Sequence, residues 1–231
     1  MVVSKGLPRA LRTNALASAS TPGPGRRAWH GVVSRYVRCM TWRYRTVTLL
    51  PTHFDRAFAF VVGIEGDYSD HPLDRGGKTR FGITQAVARA EGYAGPMSSL
   101  PLGLAKTIYR RRYWDALSLD RVASISYPVA LELFDTGVNM GPSIAATFLQ
   151  RSLNALNRRA RDYADVRVDG AIGEQSLAAL HGFFGQRVHK AEAVLLKVLN
   201  CLQGARYIDT AERRSANEDF VFGWFDNRIG M

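Results

Sequence analysis

Glu65 and Asp74 are the two acidic side chains whose surroundings differ most in kind. Glu65 follows a run in which Phe54, Phe58, Val61 and Val62 recur at helical spacing. On a helical wheel it falls about 20° from Phe54, so the periodicity puts its carboxylate at the end of an apolar helix, on the apolar face. Asp74 stands in a stretch of Gly, Asp, Ser and Pro, which is turn chemistry. Apolar neighbours disfavour an ionised carboxyl and raise its pKa, whereas a hydrated, hydrogen-bonded loop keeps one ionised. Glu65 therefore suits a general acid and Asp74 a base or electrostatic stabiliser, the pair that glycoside hydrolysis needs. Plainer readings stand beside these. Glu65 could be a helix-end acid reaching for water, and Asp74, ahead of Arg75-Gly76-Gly77, a turn former capping its own backbone. Asp67 and Asp70 are rival second carboxylates.

Other chemistries find less support. Gly76-Gly77-Lys78-Thr79 resembles the end of a phosphate-binding loop, but that loop needs a glycine where Pro72 stands and a strand where this chain has a helix. His71 has no second His or Cys at metal spacing, and Cys39 and Cys201 show neither a redox nor a disulfide pattern. Neither a metal nor an organic cofactor is expected.

The elements that must hold these residues read as essentially all-α, with a small β-hairpin around residues 78–81. Thr52 and Asp55 form a capping box for the first helix, and Thr84 caps a helix over 85–91 that ends at Gly92. Further helices are predicted over 102–114, 128–138, 143–156, 174–184 and 187–206, with breaks at Gly141-Pro142 and across 158–173.

The formal charge of +11 suggests nucleic acid until it is mapped. Residues 1–53 hold nine of the 31 basic residues and none of the 20 acidic ones, so the remainder is near neutral and no nucleic-acid partner is expected for it. The leader, residues 1–50, lacks the apolar stretch of a secretory signal. It reads as disordered, either an Arg-rich transit-type sequence or a start set too early with Met40 as the initiator, the second being favoured. The most apolar stretches, such as residues 191–202, are interrupted by Glu192, Lys197 and Asn200, so no stable membrane insertion is expected.

Residues 54–84, with Glu65-Gly66-Asp67-Tyr68, Asp74-Arg75-Gly76-Gly77-Lys78-Thr79 and Gly82-Ile83-Thr84, closely resemble glycoside hydrolase family 108, the lysozyme-like muramidases of phage endolysins and secretion-associated bacterial proteins. Tyr109-Arg110-Arg111-Arg112-Tyr113-Trp114 looks like that family's "YRxxYW" helix. Phe134 to Pro142, Leu149-Gln150, Asp169 to Gly173 and the closing Gly223-Trp224 to Arg228 look like its partner peptidoglycan-binding region. The chain departs from the pattern at Asp67, where a second glycine is usual, and at Arg75, where proline is common.

The resemblance implies a lysozyme-like, mainly α fold, with a catalytic region at 51–137 and a helical peptidoglycan-binding region at 138–231. It implies an N-acetylmuramidase that cleaves the β-1,4 bond between N-acetylmuramic acid and N-acetylglucosamine, with Glu65 as general acid and Asp74 as its weaker-supported partner. Tyr68, Thr79, Thr84 and Tyr113 are its candidate sugar contacts, although aromatic residues at helical spacing, such as Tyr113 and Trp114, also suit a core. The expected substrate is a peptidoglycan strand, met by a monomer in the periplasm after release through a phage pore or a dedicated secretion route. The alternative is a non-catalytic wall-binding or secretion-accessory protein. Inverting or retaining stereochemistry depends on a carboxyl separation that spacing in sequence does not supply.

Overall fold

Helix α1 (His53–Val61) starts where the capping box places it. Thr52 Oγ1 accepts from the Asp55 amide at 3.1 Å, and Asp55 Oδ2 accepts in return from the Thr52 amide at 3.3 Å. These details come from a computed structural model that describes residues 50–63, 68–69, 78–187 and 189–230. The leader and the segments bearing Glu65 and Asp74 lie outside the described residues. α1 buries Phe54, Ala57 and Phe58 and ends at Val61. Gly63, at φ +81°, turns the chain away, and its amide reaches back to the Phe58 carbonyl at 3.3 Å. The helix thus ends at Val61, ahead of the segment that bears Glu65.

A three-stranded antiparallel sheet follows: β1 (Tyr68–Ser69), β2 (Thr79–Arg80) and β3 (Ile83–Thr84). The expected hairpin is present, but its turn lies at Phe81-Gly82 rather than inside residues 78–81. Both turn residues are left-handed, at φ 51° and 71°, as a two-residue hairpin whose twist matches its strands requires. The Phe81 side chain, 5% exposed, is sunk in the core, which offsets the cost of a left-handed backbone at a non-glycine residue. Thr84 then caps α2 (Gln85–Ala90), its hydroxyl accepting from the Val87 amide at 3.3 Å.

The helix expected over residues 102–114 is in fact two kinds of winding. Helix α3 (Leu102–Tyr109) passes directly into a π-helical segment, Arg110–Asp115. On a regular α-helix Tyr109 and Trp114 would project roughly 140° apart. The wider π turn brings residues five apart onto a shared face, and both are buried, Trp114 completely. Helix α4 (Leu119–Ile125) was not anticipated; it contributes Leu119, Val122 and Ala123 to the core.

Helices α5 (Tyr127–Met140) and α6 (Pro142–Leu156) pack closely as a pair joined at Gly141, whose φ of +98° permits the reversal. Gly137 lets them approach other elements too, since a Cβ there would stand 2.9 Å from Leu117 Cδ1. Helices α7 (Glu174–Gln186), α8 (Ala191–Glu212) and α9 (Glu218–Arg228) complete the chain. α8 lies against both α5 and α6, so Pro51–Met231 folds around a shared core in one compact unit, mainly α and lysozyme-like, with the small sheet to one side. No helix among the described residues is long and apolar enough to cross a membrane.

Candidate functional site

An aromatic cluster fixes the geometry around the sheet. Phe54 of α1 meets the Trp114 ring at 5.6 Å and the Phe134 ring at 6.1 Å, both edge to face, and Phe58 meets Tyr109 at 5.5 Å. The Tyr109 hydroxyl donates to the Phe81 carbonyl at 2.9 Å, tying α3 to the β2–β3 turn. Trp114 Nε1 donates to Asp120 Oδ1 at 2.9 Å, so its buried polar atom is satisfied. From α3, Lys106 Nζ reaches Asp55 Oδ1 at 2.7 Å and joins α1 to α3. That hydrogen bond, followed by the one from Thr52, holds the Asp55 carboxyl below the usual range.

The register of the sheet places three of the expected sugar contacts. Tyr68 pairs with Arg80, and Arg80 with Ile83; Ser69 pairs with Thr79, and Thr79 with Thr84. Directly opposed residues share a face and neighbours along a strand do not, so Thr79 and Thr84 project together while Tyr68 projects from the other face. Tyr68 is exposed and both threonines are half-buried. The Thr84 hydroxyl accepts from the backbone as a helix cap, which leaves its own O–H for other partners. Tyr113 is not on the sheet. It lies in the π-helical segment with its ring 5.4 Å from that of Tyr109, and burial pushes its phenol above the ordinary value. Trp114 belongs to the core, as the plainer reading of that pair has it, while Tyr113 stays half-buried. Among the described residues no cluster of His, Cys, Asp and Glu is disposed to hold a metal ion.

A group that sequence reasoning missed lies on α5 and α8. Glu132 and Asp135 are 3% and 1% exposed, and Gln203 of α8 is fully buried. Asp135 accepts from Gln203 Nε2 at 3.0 Å, from Asn139 Nδ2 at 3.1 Å, and from Arg228 of α9. Burial pushes Glu132 up to about 8, with the neighbouring Asp135 adding to the shift, so Glu132 is protonated at neutral pH. A raised glutamate pKa is the signature of a general acid, but Glu132 is closed off from solvent and has no route to a polymer. The signal in the sequence was the spacing of Glu132, Asp135 and Asn139 along one face of an otherwise apolar helix.

Farther along the chain, Gln150 of α6 builds a loop. Its Nε2 donates to Asp169 Oδ1 at 2.8 Å and to the Ala171 carbonyl at 2.9 Å, and its Oε1 accepts from the amides of Asp169 and Gly170. Gly170, at φ +76°, passes so close to Ser143 that a Cβ would fall 2.3 Å from its Oγ. The loop borders a depression of about 370 Å³ lined by Gln150, Arg167, Asp169, Glu174 and Ser176.

The glycosyl hydrolase 108 family profile matches residues 58–141, the part containing the end of α1, the sheet, the π-helical segment and α5. Residues 58–141 belong to the glycosyl hydrolase 108 family. A second profile, described as a predicted peptidoglycan domain, matches residues 144–229. Among solved structures, that of Brucella abortus SagA is similar: it is 27% identical, covers 75% of this chain and 87% of its own, and superposes with a TM-score of 0.54. No curated protein matches. The glycosyl hydrolase 108 match marks the chain as a glycoside hydrolase acting on peptidoglycan, and the second match marks peptidoglycan as what it binds.

Proposed function

We propose that the chain is an N-acetylmuramidase that cleaves the β-1,4 bond between N-acetylmuramic acid and N-acetylglucosamine, with Glu65 protonating the leaving oxygen. The observation that carries the reading is the glycosyl hydrolase 108 match over the segment containing Glu65, which runs from the end of α1 through the sheet. Glu65 lies in the link, residues 62–67, between that helix end and β1; Asp74 lies in the β1–β2 connection, residues 70–78. A carboxyl joined on one side to an apolar helix and on the other to a small sheet suits a general acid, and a polar connection suits an ionised second carboxylate. Tyr68, Thr79, Thr84 and Tyr113 are the sugar contacts of this reading. Because Tyr68 and the threonine pair leave the sheet on opposite faces, a single strand of glycan meets the threonines directly, with Tyr68 serving from the sheet edge.

Residues 51–137 do the chemistry in this proposal and residues 138–231 hold the wall, with the loop at Asp169 and its neighbouring depression as the polar part of that surface. The enzyme acts as a monomer in the periplasm after release from the cytoplasm. Mass spectrometry of the fragments released from purified walls tests the bond assignment. A reducing muramic acid end is the expected product, whereas a 1,6-anhydro end would make the chain a lytic transglycosylase and a reducing glucosamine end would place the cut at the other bond.

A further inference from the structure

Helix α9 has no fully buried residue; Trp224 and Phe225 rest against Tyr207 of α8, and its deepest polar anchor is Arg228. Arg228 is only 12% exposed at its side chain, and Nη1 donates to Oδ1 of Asp135, a residue 93 positions earlier. The same carboxylate takes hydrogen bonds from Gln203 of α8 and Asn139 of α5, so a single buried acid joins three helices. The residue beside it in α5, Phe134, packs edge-on against Tyr109 with ring centres 6.4 Å apart. Tyr109 in turn donates to the Phe81 carbonyl inside the β2–β3 turn. The Arg228 charge also acts on the Tyr109 phenol, opposing the upward push of burial. An unbroken series of contacts therefore runs from the last helix of the peptidoglycan-matching region to the sheet of the hydrolase-matching region.

We propose that Arg228 is a positioning residue for the hydrolase site: through Asp135 and Tyr109 it sets the attitude of the sheet from which Tyr68, Thr79 and Thr84 project. What the sheet does there rests on the muramidase reading. The closing region is then a structural part of the catalytic half and not a separable wall anchor. The chemistry favours this over a merely local tie. A carboxylate as deeply buried as Asp135 needs a cation and several donors, and when the cation leaves, α5 must shift or admit water to rehydrate the acid. Phe134 is on the adjacent position of the same helix, so such a shift reaches Tyr109.

The test compares full-length wild type, Arg228→Met and Arg228→Lys. Lysine keeps the charge and can still donate but loses the planar fork. The first readout is amide hydrogen exchange. The proposal expects Arg228→Met to speed exchange at residues 79–84 by at least about tenfold while the amides of α1 stay protected. The second is turnover of a soluble peptidoglycan tetrasaccharide, too small to need a distant anchor. Displacement of positioned groups lowers kcat, here by about tenfold or more, with KM nearly unchanged and with Arg228→Lys recovering most of the rate. Faster exchange confined to α8 and α9, or a rise in KM on insoluble walls alone, overturns the proposal. Should the methionine variant fail to fold, Arg228→Gln, which also removes the charge but keeps a polar side chain, carries the same test, and unchanged exchange at residues 79–84 in it counts against the proposal. If wild type turns over no wall fragment, the muramidase reading fails while the exchange experiment still judges the coupling.

Discussion

The two family regions hold their loops by different means. In residues 58–141 the sheet is positioned by aromatic packing, with Phe58, Tyr109, Trp114 and Phe134, joined by Phe54 just ahead of them, meeting edge to face and a single buried hydroxyl reaching the turn. In residues 144–229 the irregular stretch from 157 to 173 is held by three amide side chains on one face of α6 and at its end. Gln150 holds Asp169 to Ala171. Asn154 takes both backbone groups of Val166, at 2.8 and 2.9 Å, and Asn157 takes the Tyr163 carbonyl at 2.7 Å and the amides of Asp162 and Tyr163. Each amide supplies a donor and an acceptor, so it can replace a neighbouring strand for a segment that has none. Packing fixes shape in the first region, and directional bonds fix backbone in the second. The contrast suits a cleft that must keep its form and a surface loop that must keep its register.

Substitutions of graded severity break this comparison in order. Trp114→Ala removes a fully buried ring that touches Phe54 and Phe134. It is expected to cost about 3–5 kcal/mol in denaturant unfolding, the largest single loss, and to abolish activity with it. A loss under about 1 kcal/mol would mean that the aromatic cluster does not carry the first region. Asp135→Asn keeps the shape but removes the charge opposite Arg228, with an expected cost of about 3 kcal/mol in the same assay. Asn157→Ala is expected to cost about 1–3 kcal/mol and to expose residues 158–166 to limited proteolysis while the sheet stays protected. Thr52→Ala removes only an exposed helix cap and is expected to cost about 1 kcal/mol.

Glu132 supplies a pH dependence peculiar to the junction of the regions. Its ordinary value is 4.5, and burial followed by the nearby Asp135 raises it to about 8 in the folded protein. The folded state thus holds a proton that the unfolded state releases, so its contribution to stability is full below 4.5 and falls away as pH rises to about 8. Glu132→Gln should flatten thermal stability across that window and leave the variant the more stable protein at its alkaline end. A wild-type profile that rises between those limits and is unaltered by the substitution would contradict this placement of the acid.

Much of this architecture is legible in the chain before folding, because it is local. The caps at Thr52 and Thr84, the break at Gly141-Pro142 and the helices over α5 to α8 each follow from a few adjacent residues. What escapes is long-range or depends on a changed winding. The π turn exists because Tyr109 and Trp114 must both face inward, a demand set by Phe54 and Phe134 from other helices. α1 reads as longer than it is, because the apolar period continues to Val62 whereas Gly63 takes a left-handed turn. Arg228 looks like an ordinary surface cation near the end of a helix until Asp135 is brought to it. Of the candidate site, Thr79 and Thr84 come together on one face of the sheet and Tyr68 projects from the other, because strand pairing is dictated nearby, while Tyr113 is linked to the sheet through Tyr109.

The central claim concerns Glu65, and the most direct measurement is the clearing of purified cell walls by wild type, Glu65→Gln and Asp74→Asn, each first shown to melt at the same temperature. With Glu65 as the general acid, Glu65→Gln should lose about 10²–10⁴-fold in rate, with a smaller or equal loss for Asp74→Asn. A fully folded Glu65→Gln protein that clears walls at the wild-type rate would contradict the assignment.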